Sequence, residues 1–411
     1  MTKALYYLWL QRALGVGAHQ SEGVFRAFAT VKEAYEATAY PDDCALTAVQ
    51  LRRLADKSLE KAAKEWEALQ AQGVWLLTPE DDLYTTLFEG MYAPPVVLYA
   101  KGAKPDAGEC PRIAVVGTRY HDELGRRVTR QLAAGLAAGG AIVISGGAVG
   151  LDSEALDAAL GEHGVCISFQ ACGIDINYPQ ATAPMREQLL ANGGLLLTEF
   201  PLGTHAYKPN FRIRNRLISA ASDGVLVTQA PLGSGALITA GWAREQGKDV
   251  YAVPGAVGVP CWEGSNELLK DGAQLVTNAA DLLMQYVERY PFAIRIDAAA
   301  AAEKRALQIR AATPTELATA QPLAEGTPAL KRVAQPKTEA SETKPLACPE
   351  DADEAVKRVY EALVASEKTV TELARELTMT SADVLSALTE LELYGVVSCT
   401  AGQRYKLNSK K

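Results

Sequence analysis

The middle of this chain is predicted to form an α/β fold, a Rossmann-like, doubly wound and mostly parallel sheet, and three observations predict it. Short apolar runs rich in β-branched residues recur from about Gly73 onward, amphipathic stretches separate them, and glycine-bearing turns follow several of them. A strand buried on both faces reads as a continuous apolar run, and strands that alternate with helices imply a parallel sheet covered by helices on both sides.

The elements follow in order. Residues 1–72 read as a small helical domain of short helices, broken at Gly15-Val16-Gly17 and near Pro41. The Leu14-Gly-Val-Gly17 turn is similar to helix-hairpin-helix and SAM-like modules, and a plain helical turn would also account for it. Residues 73–289 carry the predicted strands Ile113–Gly117, Ile142–Ile144, Val165–Phe169, Leu195–Thr198, Val225–Thr228 and Val250–Val253, with helices such as Glu123–Ala138 and Ala236–Gln246 between them. Residues 290–349 are predicted to be a linker: from Ala300 the chain is Ala, Pro, Thr, Glu and Lys with hardly any large apolar side chain, too little to offset its ordering entropy, apart from a frayed helix around Glu303–Ala311. Residues 350–408 fit a winged helix, with helices at Ala355–Ala365, Val370–Leu377 and Ser381–Leu393, Ser381 as an N-cap, and a hairpin formed by Val396-Val397 and Tyr405–Leu407.

Composition narrows the function. The net charge of −8 excludes general attraction to polyanions, yet Lys208–Arg216 holds four cations, one aromatic ring and two carboxamides, with no carboxylate between Glu199 and Asp223. Such an island acts through placed contacts with phosphate and points to nucleic acid or nucleotide. Seven scattered cysteines without a C-x-x-C pair, and only four histidines, speak against a disulfide framework and a structural zinc. No metal or other cofactor is expected. No apolar run reaches the roughly 18 to 20 residues that span a bilayer, and the first residues lack the regions of a signal peptide, so a cytoplasmic protein without membrane contact is expected.

In a doubly wound sheet, ligands bind beyond the carboxyl ends of the strands. The loops there are Gly117-Thr118-Arg119, Ser145–Asp152, Ala171–Asp175 and Glu199–Gly203. Gly146, Gly147 and Gly150 before a helix would let backbone N–H groups face an anion, or serve only a tight turn. The spacing is neither a Walker A loop nor G-x-G-x-x-G, so ATP hydrolysis is not indicated. Single-strand binders combine a cationic track with aromatic platforms, and Lys208 and Phe211 supply one of each. Arg212 and Arg216, at i and i+4, would share a helical face, while Arg214 points elsewhere and could pair with a carboxylate such as Glu199.

In this order, the segments Val116–Arg119, Ser145–Asp152, Cys172–Asp175 with Tyr178-Pro179, Glu199–Gly203, Phe211–Ser219, Gly233–Thr239, Ala252–Gly255 and Asp271–Ala273 resemble the DNA-processing protein A (DprA, also called Smf) family. The resemblance implies a non-enzymatic, dimeric protein that binds single-stranded DNA, protects incoming DNA and loads the RecA recombinase during natural transformation, with the dimer formed through the Rossmann-like domain. Carried over by motif, Arg119 and Lys208 would hold phosphates, Ser145, Gly146 and Ser234 would offer hydroxyl or backbone donors, Phe211 would stack on a base, and Asn215 and Arg216 would complete or brace the pocket. The chain departs from the family pattern at Val149, where the family usually has Arg, and at Arg212, where it usually has Pro, which suggests that a positive charge has moved within one pocket.

The rival class is an enzyme. Nucleoside monophosphate phosphoribohydrolases of similar fold carry a P-G-G-x-G-T-x-x-E loop, where this chain reads Pro231-Leu-Gly-Ser-Gly-Ala-Leu-Ile-Thr239. Threonine in place of the glutamate removes the acid/base group, leaving Asp152 and Glu199 as carboxylates near the cleft. In the winged helix, Ser381–Leu393 carries three carboxylates and no cation, so it is expected to contact protein rather than read a DNA groove, with Arg404 and Lys406 sustaining a weaker DNA role.

Overall fold

The computed structural model describes residues 2–311, 353–380, 383–384, 387–388, 391, 396–400 and 404–408. The chain begins with five helices, α1 (Thr2–Leu14), α2 (Gln20–Ala27), α3 (Val31–Glu36), α4 (Ala48–Ala55) and α5 (Glu60–Ala71). Thr30 caps α3, and Thr47 with Gln50 forms a capping box on α4, satisfying N–H groups that the first helical turn leaves without partners. Gly15 (φ 90°) and Gly17 (φ 70°) turn the chain between α1 and α2 in the left-handed region. The helical layer does not close a core by itself. Tyr7, Leu10, Val24 and Leu54 pack with Val96 and Val97, Leu8 packs with Tyr99, and the layer and the following sheet form one compact unit.

The sheet has nine strands: β1 (Trp75–Leu77), β2 (Leu98–Gly102), β3 (Arg112–Val116), β4 (Ile142–Ser145), β5 (Cys166–Phe169), β6 (Leu195–Thr198), β7 (Gly224–Val227), β8 (Asp249–Ala252) and β9 (Gln274–Leu275), in the order β1-β2-β6-β5-β4-β3-β7-β8-β9. The seven strands from β6 to β9 are parallel, which includes all six predicted runs, whereas β2 pairs antiparallel with β6 and β1 antiparallel with β2. The antiparallel strands β1 and β2 and the two-residue edge strand β9 went unread: antiparallel pairing falls outside the repeated strand–helix–strand order of a parallel sheet, and β9 is too short to form an apolar run.

The connecting helices are α6 (Asp82–Phe88), α7 (Glu123–Ala138), α8 (Leu151–Gly161), α9 (Ala183–Ala191), α10 (Lys208–Ala220), α11 (Gly235–Glu245), α12 (Pro260–Lys270), α13 (Ala279–Leu283) and α14 (Ile296–Ala311). Alternate residues of each strand serve opposite faces. Ala114, Val116, Ile144 and Ile167 meet Leu217 and Ile218 of α10 and Ala240 of α11, while Ile113, Val115 and Val143 meet Leu132 and Leu136 of α7 and Leu156 of α8.

The linker reading fails at its start. Tyr290 is buried and donates to Asp223 Oδ2 at 3.0 Å, and α14 buries Ala299, Ala302 and Glu303. A Cβ at Gly135 of α7 would lie 2.7 Å from Glu303 Cγ, so a glycine and an alanine helix pack at close range, where composition suggested nothing to bury. The rest of the expected linker, residues 312–349, lies outside the described residues.

A second unit contains α15 (Glu354–Ala365), α16 (Val370–Leu377) and a three-stranded antiparallel sheet of β10 (Lys368–Thr369), β11 (Val397–Thr400) and β12 (Arg404–Leu407), ordered β10-β12-β11. Val356, Val359, Leu373, Val384, Leu388 and Leu391 form its core, in keeping with a winged helix. Most of the expected third helix, including its cap Ser381, lies outside the described residues. Among the described residues, no helix is long and apolar enough to cross a membrane.

Candidate nucleic-acid interface

Strands β4, β5 and β6 lie on one side of β3, and β7 and β8 on the other. The connection from β6 to β7 must cross the first strand, and α10 makes that crossing. Such a reversal of strand order opens a crevice at the carboxyl ends of the strands, flanked here by the loops after β3 and β7.

The first turn of α10 has no carboxylate, no side-chain cap and Pro209 near its start. Asn210 N donates to Tyr207 O at 3.0 Å, and the positive end of the helix dipole stands next to the exposed cations Lys208 and Arg212. Half-buried Phe211 lies between them in sequence. The Arg119 guanidinium, at the end of the β3 loop, sits 4.8 Å from its ring centroid, and Tyr178 meets it edge-on at 6.2 Å. A ring held by a cation and a second ring is a fixed platform for a flat base, ringed by charges that suit phosphate.

Farther along the helix the same residue type plays the opposite part. Arg214 is buried, and its Nη1 donates to Gly146 O (2.6 Å) and Phe169 O (2.5 Å) while Nε donates to Asn215 Oδ1. Burial lowers its pKa to about 10. A Cβ at position 146 would come within 2.4 Å of this guanidinium, which explains the glycine there. Arg214 does not pair with Glu199. Arg216 does, donating to Glu199 Oε2 at 2.5 Å and to Ala93 O at 2.7 Å, while Glu199 Oε1 accepts from Gly17 N at 2.9 Å. Arg216 is thus a brace. The i, i+4 spacing with Arg212 does not give the two cations a common role, because Arg212 is exposed whereas Arg216 is buried against Glu199 and Ala93.

The remaining expected site residues sort the same way. Asn215 is buried and donates to Gly235 O, bracing α10 against α11. Ser145 is fully buried and donates to Val115 O at 2.7 Å, so its hydroxyl serves the sheet. Gly146 is buried, its carbonyl taken by Arg214. Ser234 is half-exposed and caps α11 by accepting from Ala236 N. The glycine loop does not form the expected open anion cradle: Asp152 is buried within it, accepts from Gly117 N at 3.3 Å, and has its pKa raised by burial. A carboxylate of the protein already faces the donors that a phosphate would need. Val149, by contrast, is exposed, so a cation there would reach solvent.

The structure brings together Arg119, Lys208, Phe211 and Arg212, with Ser234 on the loop after β7. Three tyrosines escaped the residue reading. Tyr178 packs on Phe211, and the rings of Tyr207 (63 % exposed) and Tyr120 (82 % exposed) stand next in sequence to Lys208 and Arg119. An aromatic adjoining each candidate phosphate-binding cation was the available signal.

Comparison with known proteins agrees with this fold. The family described as DNA recombination-mediator protein A matches residues 75–287, and the DprA winged helix domain matches residues 341–403. The chain is 39 % identical over 241 residues to a putative DNA processing protein DprA of Mycobacterium tuberculosis, a match covering 56 % of this chain and 62 % of that protein. It is 31 % identical over 347 residues to the protein Smf of a Synechocystis species, covering 83 % of this chain and 82 % of the relative. The X-ray structure of DprA from Streptococcus pneumoniae superposes with a TM-score of 0.58 at 29 % identity, covering 68 % of this chain and 97 % of that one.

Proposed function

The chain belongs to the DNA recombination-mediator protein A family, and from that premise we propose that it binds single-stranded DNA at the N-terminal end of α10 and delivers it to the RecA recombinase. In this role it protects incoming DNA during natural transformation and recombination, acting in the cytoplasm as a dimer formed through the sheet domain. One observation carries the DNA-binding reading: Lys208 and Arg212 are exposed on either side of Phe211, whose ring is held by Arg119, in a stretch free of carboxylate.

The chemistry follows from that arrangement. Phosphates meet Arg119, Lys208 and Arg212 at the positive end of the α10 dipole, and a splayed base stacks on Phe211. None of these contacts reads a base edge, so binding is independent of sequence, and a paired strand cannot offer its base to the ring. The protein acts here by binding rather than by catalysis. Of the two carboxylates near the crevice, Asp152 is buried against the Gly117 amide and Glu199 is tied to Arg216 and Gly17, which supports that reading.

Competition binding with a labelled oligothymidine tests it. An excess of duplex is expected to leave the complex intact, and log K should fall with log salt at a slope of roughly −2 if about three phosphates are neutralised. Equal competition by duplex would overturn the reading, and release of free base from nucleoside monophosphates would favour an enzyme.

A further inference from the structure

A second cationic cleft lies in the N-terminal layer, apart from the residues assigned above. It has a volume of about 450 Å³ and is lined by Arg12, Arg53 and Lys61, with Asp56 the one carboxylate in its lining, and by Gln11, the glycine turn at Gly15 and Pro201. Three cations to one carboxylate is a local reversal of the chain's net charge of −8. Arg12 is held by Glu65 at 3.2 Å, whereas Arg53 and Lys61 are exposed and, among the described residues, neither is engaged by a carboxylate. Gln11 donates through Nε2 to Glu199 O, which fixes its amide, and leaves Oε1 as one of two buried side-chain polar atoms without a partner among the described residues. The three cations call for a ligand of negative charge, such as the phosphate of a nucleotide unit.

The cleft and the first site draw on neighbouring segments of the chain. Pro201 lies in the loop that runs from Glu199 to Lys208, and a Cβ at Gly17 would stand 3.0 Å from Ile213 of α10. The glycine turn between α1 and α2 does not itself serve phosphate through Gly17, whose N–H is given to Glu199. Its part is to seat the cleft against the basic helix. We propose that this cleft takes two phosphodiesters of the same nucleic-acid strand that binds α10, one for each of Arg53 and Lys61, lengthening the track onto the N-terminal layer. The proposal rests on the single-strand reading given above.

The test compares the full chain with an Arg53→Glu, Lys61→Glu variant on labelled oligothymidines of about 6 and about 25 nucleotides, lengths chosen to sit below and above the contact range of one small site. Thermal midpoints are expected to agree, since both side chains are exposed. The variant should bind the short oligomer like the parent, bind the long one at least about tenfold more weakly, and lose about 1.4 from the magnitude of the long-oligomer salt slope, the value for two single-strand phosphate contacts. Equal long-oligomer affinity and slope in the two proteins would overturn the second site while leaving the first intact. If deoxythymidine monophosphate binds the parent and not the variant, with the oligomers unaffected, the cleft serves a free nucleotide and the strand-track assignment is wrong. A parent that binds neither oligomer would overturn the first site, and this extension with it.

Discussion

The two halves of α10 carry the same kind of charge and use it in opposite ways. In the first half, Lys208 and Arg212 keep their hydration and stand ready for a ligand. In the second, Arg214 and Arg216 have lost water and direct their guanidinium groups to carbonyls, an amide and Glu199, with Arg216 Nε left without a partner among the described residues. The lesson is that depth, rather than residue type or helical spacing, decides whether a cation binds a partner or holds the fold. An exposed charge interacts weakly with its neighbours in high dielectric and stays available. A buried one must be paired, because leaving either member of a buried pair alone costs several kcal/mol.

Arg216→Ala is the strongest way to break this comparison. It leaves Glu199 buried with Gly17 N–H as the remaining partner of its carboxylate among the described residues, and is expected to lower unfolding stability by about 3 to 5 kcal/mol in chemical denaturation. A variant that kept its denaturation midpoint but lost DNA would place Arg216 in the open half after all. Next in size is Lys208→Glu, which exchanges attraction for repulsion at a phosphate. An affinity loss on the order of 100-fold, roughly 2 to 3 kcal/mol, is expected in fluorescence anisotropy with an unchanged thermal midpoint. Arg119→Glu should behave likewise, with an added loss from the ring contact.

Phe211→Ala sharpens the contrast between charge and platform. Binding should weaken by about 1 to 3 kcal/mol, the worth of one stacked base, with the salt slope nearly unchanged, since no phosphate contact is removed. Smallest is Arg212→Ala, for which a few-fold loss and a decrease of about 0.7 in the magnitude of the salt slope are expected. Exposed Val149 offers the reciprocal change, and Val149→Arg should steepen the slope by a similar amount. Failure of both would end the idea that charge has moved between these positions.

Much of the fold was legible because it rests on local pattern. Six of the seven parallel strands announce themselves as runs such as Ile113–Val116, since burial on both faces demands unbroken apolar sequence, and the loops at their carboxyl ends follow from strand direction alone. The basic island was equally visible, because the absence of carboxylate is a property of composition. What the pattern missed was non-periodic or close-packed: the antiparallel pair β1 and β2, and α14, whose alanines are buried only because α7 presents Gly135 and Gly139 to them.

The division of labour among the four cations was settled elsewhere. Sequence alone determined that Lys208, Arg212, Arg214 and Arg216 lie in one carboxylate-free stretch, with Arg212 and Arg216 at helical spacing. Only the tertiary structure decided that Arg214 would reach Gly146 and Phe169, and that Arg216 would meet Ala93 and a Glu199 already bound to Gly17. These partners stand up to about 200 residues away in the chain, so no local window contains them. Helical periodicity sets the direction in which a side chain leaves its helix, whereas the depth of the medium it enters is set by whatever distant segments pack there, and for a charge that depth determines its energy.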